Sequence, residues 1–150
     1  MAGSDRRRNE GFSLVEVLVA LGILAVGLLA LALFQITAIQ GNASASRSTV
    51  ATQLAQDRLE RFRHVTWASI VSSNSGGFDN GTMLPVYANL PAAAGDSITV
   101  KGKTYYRVWY VAASPTNTFK TITVWCCWLD ERQTWHRVML VSQRSNVGGV

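Results

Sequence analysis

Hydrophobic and polar positions along the chain fall into four regimes. Met1 to Gly11 is short, polar and charged. From Val17 to Phe34, 18 successive residues are all apolar or glycine. At 1.5 Å per residue that run makes about 27 Å of helix, close to the thickness of a bilayer's hydrocarbon core. It contains no proline to force a kink, and Gly22 and Gly27 are its soft points. It exceeds the run of about 7–15 residues usual for a secretory signal, and no Ala-x-Ala site cleanly closes it. The run therefore predicts a membrane-length helix extending from Phe12 to about Ile39.

From Ala43 to Ile70 the chain lacks glycine and proline, and Ala51, Leu54, Ala55, Leu59 and Phe62 recur at helical spacing. Arg58, Glu60, Arg61 and Arg63 lie largely off that stripe. An amphipathic helix over residues 43–71 follows, with Gly41-Asn42 as a possible joint before it. The stretch Ser72 to Gly81 is dense in turn formers and ends the helix. Two prolines and weak periodicity then predict an irregular connection through residue 97, and loops of this length often carry functional surface. From Ile98 to residue 143, β-branched and aromatic residues predict an antiparallel meander, with turns at Lys101-Gly102, Ser114 to Asn117 and Asp130 to Gln133. In the strand FKTITVWCCWL, Ile122, Val124, Cys126 and Trp128 share one face. A helix with one apolar stripe and a sheet with one apolar face bury each other, which makes the fold class α+β.

Composition sharpens this picture. The chain has 150 residues, enough for one head domain besides the anchor. Its charged fraction is 15%, against about a quarter in ordinary soluble domains, and the membrane segment accounts for the deficit. Arg6, Arg7 and Arg8 precede the apolar run, and the next positive charge is Arg47. The positive-inside rule then places the N-terminus in the cytoplasm and the head on the far side. The net charge of +5 is scattered, without a dense basic patch interleaved with aromatics, so nucleic acid is not an expected partner.

The candidate chemistry is sparse. Cys126 and Cys127 are adjacent in a strand, so they point to opposite faces and read as small buried hydrophobes. Two cysteines without other ligand spacing predict neither a zinc site nor another metal. His64 and His136 have no nucleophile patterned with them, and Asp130-Glu131 reads as solvated turn charge. No phosphate loop, HExxH helix or GxSxG elbow occurs, so neither an enzyme nor a cofactor is expected. Trp109, Trp125, Trp128 and Trp135 read as cross-strand aromatic packing, with a minor share left for a partner contact.

One acid stands out: Glu16, at the start of the apolar helix. A carboxylate costs on the order of 2.5–3.5 kcal/mol at the bilayer centre and less near the interface, so a free monomer tolerates it. Away from both water and headgroups it needs a cation.

The stretch GFSLVEVLVALGILAVGLLALALFQ resembles the class III signal of type IV pilins and pseudopilins. A basic leader precedes Gly11, Phe12 is apolar, Glu16 is the fifth residue after the glycine, and an uninterrupted apolar helix follows. The resemblance covers about the first quarter of the chain. It implies cleavage by prepilin peptidase between Gly11 and Phe12, N-methylation of Phe12, and pairing of Glu16 with the N-terminal amine of a neighbouring subunit. It divides the chain into a leader (1–11), an apolar transmembrane and assembly helix (12–42) and a periplasmic head (43–150). Close helix packing would use Gly22, Ala25, Gly27 and Ala30. The order of helix, loop and meander is similar to that of PilV-type minor pilins. That implies a structural subunit of the inner membrane and then of the pilus, at its tip. Its partners would be other minor pilins, the major pilin and the assembly platform. A minor pseudopilin of a type II secretion system shares the same signal, and a single-pass periplasmic enzyme or sensor is the alternative of another class.

Overall fold

The computed structural model describes residues Phe12 to Asn146, so Arg6, Arg7, Arg8 and Gly11 lie outside the described residues. The chain divides into two compact units, residues 1–44 and 45–150. Helix α1 runs from Leu14 to His64 and contributes to both. Its helical assignment continues through Gly41 and Asn42.

The second unit contains a four-stranded antiparallel sheet in the order β3-β4-β5-β6. The strands are β3 (Asp96–Val100), β4 (Lys103–Ala113), β5 (Phe119–Leu129) and β6 (Trp135–Ser145). The β3-β4 hairpin turns on Lys101 and Gly102, both with positive φ (48° and 76°). That backbone is the two-residue turn whose twist matches the strands, and the glycine adopts it without steric cost. At the other two turns, polar side chains satisfy the backbone. Ser114 Oγ accepts from the Thr118 and Phe119 N–H groups, and Asp130 Oδ1 accepts from Arg132 and Thr134.

The rear of α1 lies on one face of this sheet. Ala51, Ala55 and Phe62 are buried with Tyr105, Trp109, Ile122, Val124, Cys126 and Trp128, and Leu54 and Leu59 border them. This is the stripe read from the helical spacing, against the strand face read from the alternation. The helix ends at His64, short of the expected residue 71, and a 3-10 turn follows at Trp67–Ser69. Its final carbonyls are not left bare. Arg144 donates to the Phe62 and Val65 carbonyls, and Lys120 Nζ donates to those of Trp67 (2.8 Å) and Ile70 (2.9 Å).

The connection expected as an irregular loop over 72–97 turns out to form the second covering layer. It carries a small ladder of β1 (Phe78–Asp79) and β2 (Leu84–Pro85), and the short helix α2 (Leu90–Ala93). Phe78 and Leu90 bury against Val108, Trp125 and Cys127 on the sheet face away from α1. Strand β5 is therefore buried on both faces, continuously from Ile122 to Trp128. Gly95 permits the closure, because a Cβ there would stand 2.3 Å from the Trp109 ring. Ser72 and Ser73 then occupy the edge of β4 beyond the end of β3. Ser73 N–H donates to the Trp109 carbonyl, while the Trp109 and Val111 N–H groups donate to the Ser73 and Ser72 hydroxyls.

One charge is buried between α1 and the sheet. Arg107, only 2% exposed, forks onto Asp96 with two hydrogen bonds of 2.6 Å. It also donates to the Leu54 carbonyl (2.9 Å) and Asp57 (3.2 Å) of α1. Burial pulls its pKa down, but the Asp96 hydrogen bonds and charge outweigh that and the net shift is upward. Arg58, expected off the apolar stripe, instead lies half-buried over Trp109, 3.7 Å from the ring centroid. Removing a partner from a buried ion pair costs about 3–5 kcal/mol, and because Asp96 is partly exposed the lower end applies. Asp96→Asn should thus destabilise the head by about 3 kcal/mol, while Asp57→Asn, at a half-exposed acid, should cost under about 1 kcal/mol. Chemical denaturation of the full chain in detergent reads both values, and similar losses from the two would contradict the clamp.

Cys126 and Cys127 are free and fully buried, one in each apolar layer. Burial pushes both thiols up to about 12. Neither should react with a maleimide at pH 8 in the folded protein, and both should react once it is unfolded. Mass spectrometry of the labelled chain distinguishes the two states.

Candidate assembly segment

The first unit presents the reverse of a folded core. Every described residue from Phe12 to Asn42 is exposed, including Leu18, Ile23, Leu29 and Phe34. Here α1 is long and apolar enough to cross a membrane, with a mean hydropathy of 2.9 over 18 residues and none of that window buried. Such a surface is not stable in water, and a bilayer or other apolar helices must cover it. The long apolar helix fits a single-pass protein anchored in the inner membrane.

Glu16 lies in the first turn of α1, where the unpaired N–H groups of the helix end favour an acid. Phe12 stands two residues ahead of α1, and Glu16 lies in its first turn. With Val17, Ala20, Leu21 and Leu24 they line a shallow, almost wholly apolar groove. The carboxylate is thus the polar element in an otherwise apolar wall, and among the described residues it has no ion-pair partner.

The four small residues do not share a face. At about 100° per residue, Gly27 falls roughly 20° from Glu16, and Ala30 roughly 40° on one side. Gly22 lies about 120° away and Ala25 about 180° away, on the opposite side. At Gly22 and Gly27 an added Cβ would meet nothing within 4 Å. Nothing in this chain's own packing demands a glycine there.

Among its described residues the head carries no second cluster of reactive groups. His64 faces Glu60 at the helix end (3.4 Å), and His136 meets Asp130 (2.8 Å) and stacks on Trp128. The hydrogen bond from His136, with those from the turn backbone, holds the Asp130 carboxyl below its ordinary range. The pairing of His136 with Asp130 closes the β5-β6 turn, and the linear pattern did not disclose it. Glu131 is engaged by Arg47 and Lys103. The four tryptophans are absorbed by packing. Trp109 lies against Phe62, Trp125 against Phe78, Trp128 against Tyr105, and Trp135 against Tyr87 and Tyr106. No group of three or more His, Cys, Asp or Glu side chains suited to a metal ion occurs among the described residues.

Comparison with curated proteins and with solved structures found no significant match to either. Residues 6–32 match the family model of the prokaryotic N-terminal methylation motif, a prepilin signal of the type IV pilin kind.

Proposed function

We propose that this chain is a minor type IV pilin of the PilV kind, a structural subunit that joins other minor pilins to prime or cap the pilus. The observation that carries this reading is the continuity of the methylation motif with a helix whose apolar surface the chain leaves entirely bare. In this scheme the leader, residues 1–11, holds the N-terminus in the cytoplasm through Arg6, Arg7 and Arg8. Prepilin peptidase cuts between Gly11 and Phe12 and methylates the Phe12 amine. Cleavage removes the three arginines and exposes a cation at the start of the helix.

That cation meets the requirement of Glu16. Within a bundle of apolar helices, an unpaired carboxylate is strongly unfavourable, and the amine of a neighbouring subunit neutralises it. Glu16 and Phe12 border one groove, so an incoming helix end would meet both. Gly27 and Ala30, on that same side, would allow close approach there. Gly22 and Ala25 would serve a neighbour on the opposite side. The assembly platform and the major pilin complete the set of partners, and the head, residues 43–150, lies in the periplasm until extrusion.

Two measurements test this reading. The intact mass and N-terminal peptide of the protein from its host's membranes should show a chain beginning at methylated Phe12. A chain beginning at Met1, or cut beyond Phe34, would remove the basis for assembly. Glu16→Ala should insert and be cleaved as the wild type is, yet enter sheared pili poorly, and undiminished incorporation would sink the pairing role. Co-purification with secretion-system components in place of pilus subunits would reassign the chain as a minor pseudopilin.

A further inference from the structure

The loop between β1 and β2 runs from Asp79 through Asn80, Gly81 and Thr82 to Met83, and Asn80 is the one asparagine of the chain that glycine follows. A hydrogen bond from the Met83 N–H to the Asp79 carbonyl (2.8 Å) closes the loop, and Asn80 and Gly81 are both exposed. Asparagine is among the chemically labile residues. Its side-chain amide is lost when the backbone nitrogen of the next residue attacks Cγ, and a following glycine has no Cβ to obstruct that approach.

The fold does not require the glycine at position 81. Gly81 lacks a positive φ, and an added Cβ would meet only Asp79 Oδ1, at an ordinary contact distance of 3.4 Å. Gly77 in the same covering layer differs, since a Cβ there would stand 2.5 Å from the Ala93 carbonyl oxygen. The neighbouring asparagines are also held more firmly. Asn74 Oδ1 accepts from the Gly76 N–H (3.1 Å), and Asn89 Nδ2 donates to the Gly76 carbonyl (3.1 Å). The Asn80 side chain makes no such bond among the described residues.

One restraint acts on the attacking nitrogen. The Gly81 N–H donates to Asp79 Oδ1 (2.8 Å), and Thr82 Oγ1 donates to Asp79 Oδ2 (3.0 Å). These bonds hold the Asp79 carboxyl below its ordinary range, so near neutral pH it is a charged acceptor and a weak base. It keeps the Gly81 proton in place and does not remove it. We propose that Asn80 is a site of spontaneous deamidation, slowed in the folded head because the Asp79 carboxylate holds the Gly81 nitrogen. In the reaction the Gly81 nitrogen yields its proton to hydroxide and bonds to Asn80 Cγ. The Cγ–Nδ2 bond breaks, ammonia leaves with a proton from water, and a succinimide remains. Water then opens the ring at either carbonyl to give aspartate or isoaspartate, and no other reactant is needed. The product places a negative charge beside Asp79. Isoaspartate also lengthens the loop backbone by one methylene, next to the ladder that carries Phe78 into the second core. The proposal goes beyond the pilin reading and does not depend on it.

The test incubates the full chain in detergent micelles at pH 8 and follows the gain of one mass unit by peptide mapping, with fragmentation to separate Asn80 from Asn74 and Asn89. Asn80 should convert first and yield both products. Gly81→Ala should stop the conversion while leaving the unfolding midpoint of the head near that of wild type, because the added Cβ fits. Asp79→Ala should speed conversion about fivefold, the factor supplied by an exposed hydrogen bond of ordinary strength. Asp79→Asn still offers an oxygen to the Gly81 N–H and should stay near the wild-type rate. Unfolding the wild-type chain in guanidinium removes the same restraint without a substitution and should also speed conversion. No mass gain at Asn80 even in the unfolded chain, or conversion of Asn74 or Asn89 ahead of it, would overturn the site. A rate in Asp79→Ala no higher than that of wild type would overturn the restraint.

Discussion

Burial of the Ala51 to Phe62 stripe of α1 against one face of the sheet is the contact on which the head depends. It satisfies the apolar face of the rear helix and half of β5 together. The guanidinium of Arg107 sets its register. It is held at once by Asp96 of β3 and by Asp57 and the Leu54 carbonyl of α1. Apolar packing alone tolerates sliding along a helix, whereas a forked, buried ion pair has one geometry. Arg144 and Lys120 then take up the carbonyls at and beyond the helix end, so the chain leaves α1 without stranded acceptors.

The head's self-sufficiency contrasts with the first unit. Central strand β5 is enclosed on both faces, and both cysteines and the three tryptophans of β4 and β5 are used up in doing so. Residues 12–42 bury nothing at all. A chain that packs one unit fully and leaves a membrane-length helix bare assigns that helix to an external apolar environment. Under the proposed function the environment is first the bilayer and then the helices of other subunits, and Glu16 is the polar element that distinguishes the second from the first.

The sheet's two long margins differ in the same sense. Serine hydroxyls and the backbone of Ser73 cover the exposed stretch of β4. The outer margin of β6 keeps its backbone groups and the exposed side chains of Met139 and Val141.

The apolar run, the acid at its start, the stripe from Ala51 to Phe62 and the alternation through FKTITVWCCWL were all legible in the sequence, because each is a periodicity of neighbouring residues. The α+β class followed from them, and the methylation signal from the resemblance of Gly11 to Gln35 to the signal of type IV pilins. The second apolar layer was not read, although the unbroken apolar stretch from Val124 to Trp128 signals a strand buried on both faces. The Arg107 clamp, the place of Arg58 over Trp109 and the pairing of His136 with Asp130 had no linear trace. Each joins residues whose proximity arises only once the strands have paired and the helix has docked. The sequence by itself determined which segments form and which of their faces must be hidden, since local periodicity carries that information. Tertiary structure alone decided what hides each face and which charges meet, because those outcomes depend on register and on chain closure over many residues.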